Sequence, residues 1–143
     1  MTTPYSTTKQ ISIKASPSRV WEALISPEIL KQYMFGTEVV STWQKGSPVA
    51  YKGQWDGQPF EDKGIILENL PERLLKIDYF SASSGLEDLP NNHSMITYKL
   101  TLHEDDRTTL AVTQNNHPTQ TAADVAGENW EMTLFQIKTI LEK

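Results

Sequence analysis

The sequence predicts an α+β fold in which a curved antiparallel sheet of about seven strands wraps around one long C-terminal helix. Three observations lead there. Residues 118–143 hold one apolar stripe at helical spacing, formed by Ala123, Ala126, Trp130, Leu134, Ile137 and Leu141. From residue 37 to residue 117 the pattern instead alternates apolar and polar, with turn sequences at short intervals. Two proline-led helical segments stand before that run. A meander with one apolar face needs a cover, and only the C-terminal helix is long enough to supply it.

The elements follow in order. Ile11 and Ile13 alternate with polar neighbours, which predicts a half-buried strand over residues 8–14, after a loose tip at 1–7. Ser16 with Pro17, and Ser26 with Pro27, each read as a helix cap followed by a first-turn proline. The second helix stops near Gly36. Strands are expected at 37–44, 47–55, 58–69, 73–81, 92–104 and 107–117. Asp56-Gly57 is a strong hairpin signal, and residues 81–92 form a longer loop rich in Ser, Gly, Pro and Asn. Consecutive apolar residues at Ile65, Ile66 and Leu67 break the alternation and suggest a bulge. Thr121 with Asp124 resembles a capping box for the last helix. Gly127, inside that helix, suggests either close approach of another group or slack near the helix start.

With 143 residues and no linker or repeat, residues 1–143 are expected to form a single domain. The chain has no cysteine, so thiolate chemistry and disulfides are excluded. Its net charge is −5 with no basic run, which argues against nucleic acid and anionic membrane surfaces as partners. No apolar run is long enough for membrane insertion and the N-terminus does not read as a signal peptide, so the expected location is cytoplasmic. His93, His103 and His117 lack metal-ligand spacing, and neither a metal nor another cofactor is expected. His117 reads either as a solvated loop residue or as an acid or base at a cavity rim. The acidic pair Glu87-Asp88 reads as solvated.

Ala15-Ser16-Pro17-Ser18-Arg19-Val20-Trp21-Glu22-Ala23-Leu24, followed by Ser26-Pro27-Glu28-Ile29-Leu30, resembles the opening of the START-like (SRPBCC, helix-grip) superfamily. Within it the chain is similar to the branch related to the activator of Hsp90 ATPase. Gly64 with Ile66, Leu67 and Glu68, Pro71-Glu72-Arg73-Leu74, and Gly127 with Trp130, Leu134 and Ile137 support this. The resemblance implies a deep apolar cavity for a lipid, sterol, polyketide or flavonoid-like aromatic. Tyr33-Met34-Phe35 stands where many relatives carry Trp, which alters the cavity mouth.

Strand alternation puts Val49, Tyr51, Gly53 and Trp55 on one face, and likewise Leu75, Ile77 and Tyr79. Ile96, Tyr98, Leu100 and Leu102 form a third set, and Leu110, Val112, Gln114 and Asn116 a fourth. The expected ligand contacts are Tyr51, Trp55, Ile66, Ile77, Tyr79, Tyr98, Leu100, Val112, Gln114, Trp130 and Leu134. Each aromatic could equally fill the core. Gln114, Asn116 and Asp62 could serve either a pocket or a solvated strand end. The leading expectation is binding of a small apolar molecule. A cyclase, dehydratase or hydrolase using His117, Asp62 or a cavity tyrosine, and a chaperone-associated domain, are the alternatives; no catalytic residue is assigned. Val125, Met132 and Phe135 lie opposite the main stripe. They mark a surface for a second copy or a protein partner, or are covered by the 81–92 loop.

Overall fold

The computed structural model describes residues 3–81 and 84–143, apart from the side chain of Trp55. Seven strands form one antiparallel sheet, and three helices accompany it. The order is β1 (Tyr5–Ile13), α1 (Pro17–Ile25), α2 (Pro27–Tyr33), β2 (Glu38–Ser41), β3 (Pro48–Trp55), β4 (Gln58–Leu70), β5 (Leu74–Phe80), β6 (Ser94–Leu102), β7 (Thr108–His117) and α3 (Gln120–Leu141). The strands lie in the order β1-β7-β6-β5-β4-β3-β2. The first strand thus pairs with the last, and every other neighbour is joined by a hairpin connection.

Local chemistry explains most boundaries. The Ser16 side chain accepts from the Arg19 amide and Pro17 opens α1, which satisfies one orphan donor of the first turn. Ser26 makes no side-chain cap bond, so α2 starts on its proline alone. Asp56 and Gly57 both take positive φ, at 51° and 77°, and place Trp55 opposite Gln58. That pair of angles is what a two-residue hairpin turn requires. The expected bulge lies at Leu67, where the β4–β5 register shifts between Ile66 and Glu68.

Four expectations change. The strand β1 begins at Tyr5, and Thr3 is already tied to Asn116 and His117, so residues 3–7 are not loose. Thr119, not Thr121, caps α3 by accepting from the Ala122 amide at 3.0 Å. Leu102 is exposed, because the β6–β7 hairpin runs past the end of the core. Asn116 leaves the face of Gln114 because three steps along β7, from Gln114 to His117, match two steps along β1, from Thr7 to Tyr5. Asn116 adopts φ 60° at this bulge, and its amide bonds Thr3 N and the carbonyls of Asn91 and His93.

The core lies between the concave face of the sheet and α3. Ile13, Ile66, Leu75, Ile77, Leu110, Val112, Leu134 and Ile137 are all almost wholly buried. Each such side chain contributes about 1.5–3 kcal/mol of hydrophobic stabilisation. At Gly127 the helix lies close to β1, since an added Cβ there would be 2.7 Å from Thr7 Oγ1. The close-approach reading of this glycine therefore holds. Lys9 on β1 and Glu131 on α3 form an ion pair at 2.7 Å on the same seam.

Candidate functional site

One side of α3 does not pack against the sheet. Ala123, Gly127, Leu134, Ile137 and Leu141 are buried. Ala126, Asn129, Trp130 and Thr133, at spacings of three and four, instead line a cavity. The single apolar stripe expected from the sequence is therefore two adjacent stripes with different jobs. The cavity has a volume of about 350 Å³, within the range of small-molecule sites.

Its far wall is aromatic. Tyr51 on β3 and Tyr79 on β5 meet edge to face, with centroids 5.7 Å apart and planes at 76°. Tyr98 on β6 meets Trp130 of α3 the same way, at 5.9 Å and 81°. Strand alternation brings these tyrosines to one face, and α3 brings Trp130 across to them. The mouth is formed by the end of α2. Gly36 takes φ 82° and its amide bonds the Lys31 carbonyl, which ends the helix. Phe35 beside it is itself at φ 54° and 75% exposed, an uncommon state for a large aromatic residue.

A few polar groups are built into this apolar surface. The Tyr79 hydroxyl donates to Asp62 Oδ2 at 2.6 Å. The register sets Asp62 opposite Tyr51, so its carboxylate joins the concave face. The Trp130 indole N–H donates to Gln114 Oε1 at 2.9 Å, while Gln114 Nε2 donates to Ser94 Oγ at 3.0 Å. Both ends of that amide are thus used. Tyr33 donates to the Ala23 carbonyl at 2.6 Å. No hydrogen bond joins the Tyr51 or Tyr98 hydroxyl to a described residue, and neither oxygen is sealed from the cavity that both side chains line. All four tyrosines are held protonated well above their ordinary range. Burial is the main cause in each, reinforced at Tyr51 and Tyr79 by the negative charge of Asp62. They are therefore hydrogen-bond donors at neutral pH.

Of the residues expected at the site, the structure brings Tyr51, Tyr79, Tyr98, Gln114 and Trp130 together around the cavity. The side chain of Trp55 lies outside the described residues. Ile66, Ile77, Leu100 and Val112 sit on the concave face but fill the core and do not line the cavity. Leu134 is buried on the sheet-facing stripe and contributes to a groove with Ile11, Met132 and Phe135 on the opposite side of the helix. These five lie away from the cavity because alternation gives the face of a strand, whereas the height at which α3 crosses it decides where packing stops. Phe60, Tyr33, Met34 and Phe35 also line the cavity. Phe60 could have been found by counting back from the Asp56-Gly57 turn, which sets Gly53 against it.

The histidines lie elsewhere. His117 is buried at the end of β7, outside the cavity lining and not in a solvated loop. Burial lowers its pKa, and its Nε2 has no partner among the described residues. His93 bonds Asp78 at 2.8 Å and Asp88 at 2.5 Å, and Asp88 also pairs with Lys63. Asp88 is therefore an anchor of the loop, not a merely solvated acid. Leu86 and Leu89 in that loop are exposed, as are Val125, Met132 and Phe135, so the loop does not cover the outer side of α3. Among the described residues no three His, Asp or Glu side chains converge so as to hold a metal ion. Among the described residues no helix is long and apolar enough to cross a membrane.

A curved antiparallel sheet gripping a long helix over a cavity defines a helix-grip protein of the START-like class. The chain belongs to the Activator of Hsp90 ATPase homolog 1-like family, whose model matches residues 14–142. Among solved structures, protein ChR145 from Cytophaga hutchinsonii is 38% identical, with 99% of this chain and 97% of that chain covered at a TM-score of 0.87. The Aha1 dimer from Colwellia psychrerythraea is 21% identical, with 96% of each chain covered and a TM-score of 0.74. DynU16, a protein of the dynemicin biosynthetic locus, is 16% identical. Its TM-score is 0.81 over 99% of this chain and 48% of that one. The last two share the fold alone. No curated protein matches the chain.

Proposed function

We propose that this protein binds a small, apolar, aromatic molecule in the cavity between the sheet and α3. The observation that carries the reading is the lining itself. Tyr51, Tyr79, Tyr98 and Trp130 offer flat apolar surface, with a few fixed polar groups among them. Tyr51, Tyr79, Tyr98, Gln114 and Trp130 are the proposed contacts. The occurrence of DynU16, which shares the fold, in a biosynthetic locus is in line with a biosynthetic small molecule as the ligand. An NMR titration against lipids, sterols, flavonoids and polyketide-like aromatics tests this. The expected result is saturable shifts at Tyr79, Tyr98 and Trp130 with an aromatic member. A bound ligand that leaves these residues unmoved would overturn the reading.

Asp62 supports a second reading, in which the same cavity carries out cyclase, dehydratase or hydrolase chemistry with this carboxylate as acid or base. Turnover of a bound ligand that Asp62→Asn abolishes without loss of binding would establish it. The exposed Val125, Met132 and Phe135 support a homodimer through that side of α3, in line with the dimer described for the Colwellia relative. Light scattering on the wild type and on Phe135→Glu tests that surface, with an unchanged monomer mass refuting it.

A further inference from the structure

We propose that the cavity selects a neutral ligand bearing a hydrogen-bond acceptor oxygen, such as an aromatic ketone, and rejects carboxylates and phosphates. This rests on the cavity reading above and gives its ligand a charge and a polar group. No Lys, Arg or His side chain lines the cavity among the described residues, so an anion entering it would lose its hydration without meeting a counter-charge. The carboxylate of Asp62 faces the same space, and it would repel an anion at short range in a poorly screened site.

The hydrogen-bond inventory gives the sign of the polar group. Gln114 is committed at both ends, to Trp130 and Ser94, and the Tyr79 hydroxyl is committed to Asp62. The hydroxyls of Tyr51 and Tyr98 remain, with no hydrogen bond to a described residue, on side chains that line the cavity. Neither oxygen is among the side-chain atoms sealed from solvent, so both open onto the cavity. Both tyrosines stay protonated, so each has a proton to donate. A donor that an entering ligand cuts off from water and leaves unmatched costs binding energy, and a ligand carbonyl that accepts from it removes that cost. A hydrocarbon would fill the space and leave both donors unmatched.

The test uses four probes on one ring system: naphthalene, methyl naphthyl ketone, naphthoate and naphthylmethyl-trimethylammonium. Their affinities are read by quenching of tryptophan fluorescence and by calorimetry. The ketone should bind tightest, and naphthoate weaker by about tenfold or more. Tyr98→Phe should weaken the ketone by about threefold to tenfold and leave naphthalene binding as tightly or more tightly. Asp62→Asn should narrow the gap between naphthoate and the ketone without closing it, since the cavity still offers no counter-charge. The wild-type comparison decides the charge question even if that variant fails to fold. Naphthoate binding as tightly as the ketone, or the ammonium probe binding tighter than the ketone, overturns the selectivity while the cavity reading stands. No binding by any of the four probes overturns the cavity reading as well.

Discussion

Replacing Gly127 with alanine sets two effects of opposite sign against each other. Alanine is better than glycine in a helix interior by about 1 kcal/mol, so propensity alone predicts a more stable protein. The seam with β1 opposes this. An alanine Cβ at position 127 would stand 2.7 Å from Thr7 Oγ1 and 3.0 Å from Lys9 Cε. Lys9 is long and can move aside. Thr7 is β-branched and stands on a strand paired with Gln114, so its hydroxyl yields only by changing rotamer or by pushing the helix away. Overpacking of this kind costs about 1–3 kcal/mol. The net expectation is a loss of about 0–2 kcal/mol, and the melting temperature of a chain this size falls by about 2–4 °C for each kcal/mol. Thr7→Ala removes the obstructing oxygen, since Thr7 Cβ is 3.7 Å from the added atom. In that background Gly127→Ala should stabilise the protein by up to about 1 kcal/mol. Urea unfolding of the four proteins in the cycle measures the coupling, expected at about 1–3 kcal/mol. Stabilisation by Gly127→Ala in the wild-type background, or a coupling near zero, would refute the reasoning.

Two further outcomes are expected. An alanine Cβ at Gly64 would overlap the Asp78 carbonyl oxygen and press on Ile77 Cγ2 at 3.0 Å and Val49 Cγ1 at 3.1 Å. Backbone cannot swing aside as a side chain can, so Gly64→Ala should cost about 3 kcal/mol or more in urea unfolding, and a loss below about 1 kcal/mol would count against it. The anchor at His93 should depend on pH. Burial opposes its charge, but hydrogen bonds to Asp88 and Asp78 outweigh burial and raise its pKa above the usual 6.5. Its contribution is therefore complete below about pH 6.5 and lost as pH rises through the folded value. Asp88 is lowered by Lys63 and His93, so its contribution has the opposite sense and is lost only as pH falls below the usual carboxylate range. Wild-type stability should thus fall from pH 6 toward pH 8 relative to His93→Asn; equal pH slopes for the two proteins would dispose of the anchor.

The amino-acid sequence by itself determined the elements and which side chains share a face. Proline and serine at positions 16–17, the Asp56-Gly57 turn and alternation along each strand are local signals, written within a few residues of where they act. They also sufficed to put Tyr51, Tyr79, Tyr98, Gln114 and Trp130 on facing surfaces. Tertiary structure alone decided where packing ends and cavity begins. Leu134 and Trp130 are four residues apart on one helix, yet one is sealed against the sheet and the other borders open space. That difference follows from the path of α3 across β1, set in part by the contact at Gly127. The loop anchor is likewise decided by tertiary structure, because Lys63, Asp78, Asp88 and His93 meet only once the strands are paired. So did the turn of Asn116 away from Gln114, since a bulge shifts parity by one residue and the fit between β1 and β7 is what demanded it.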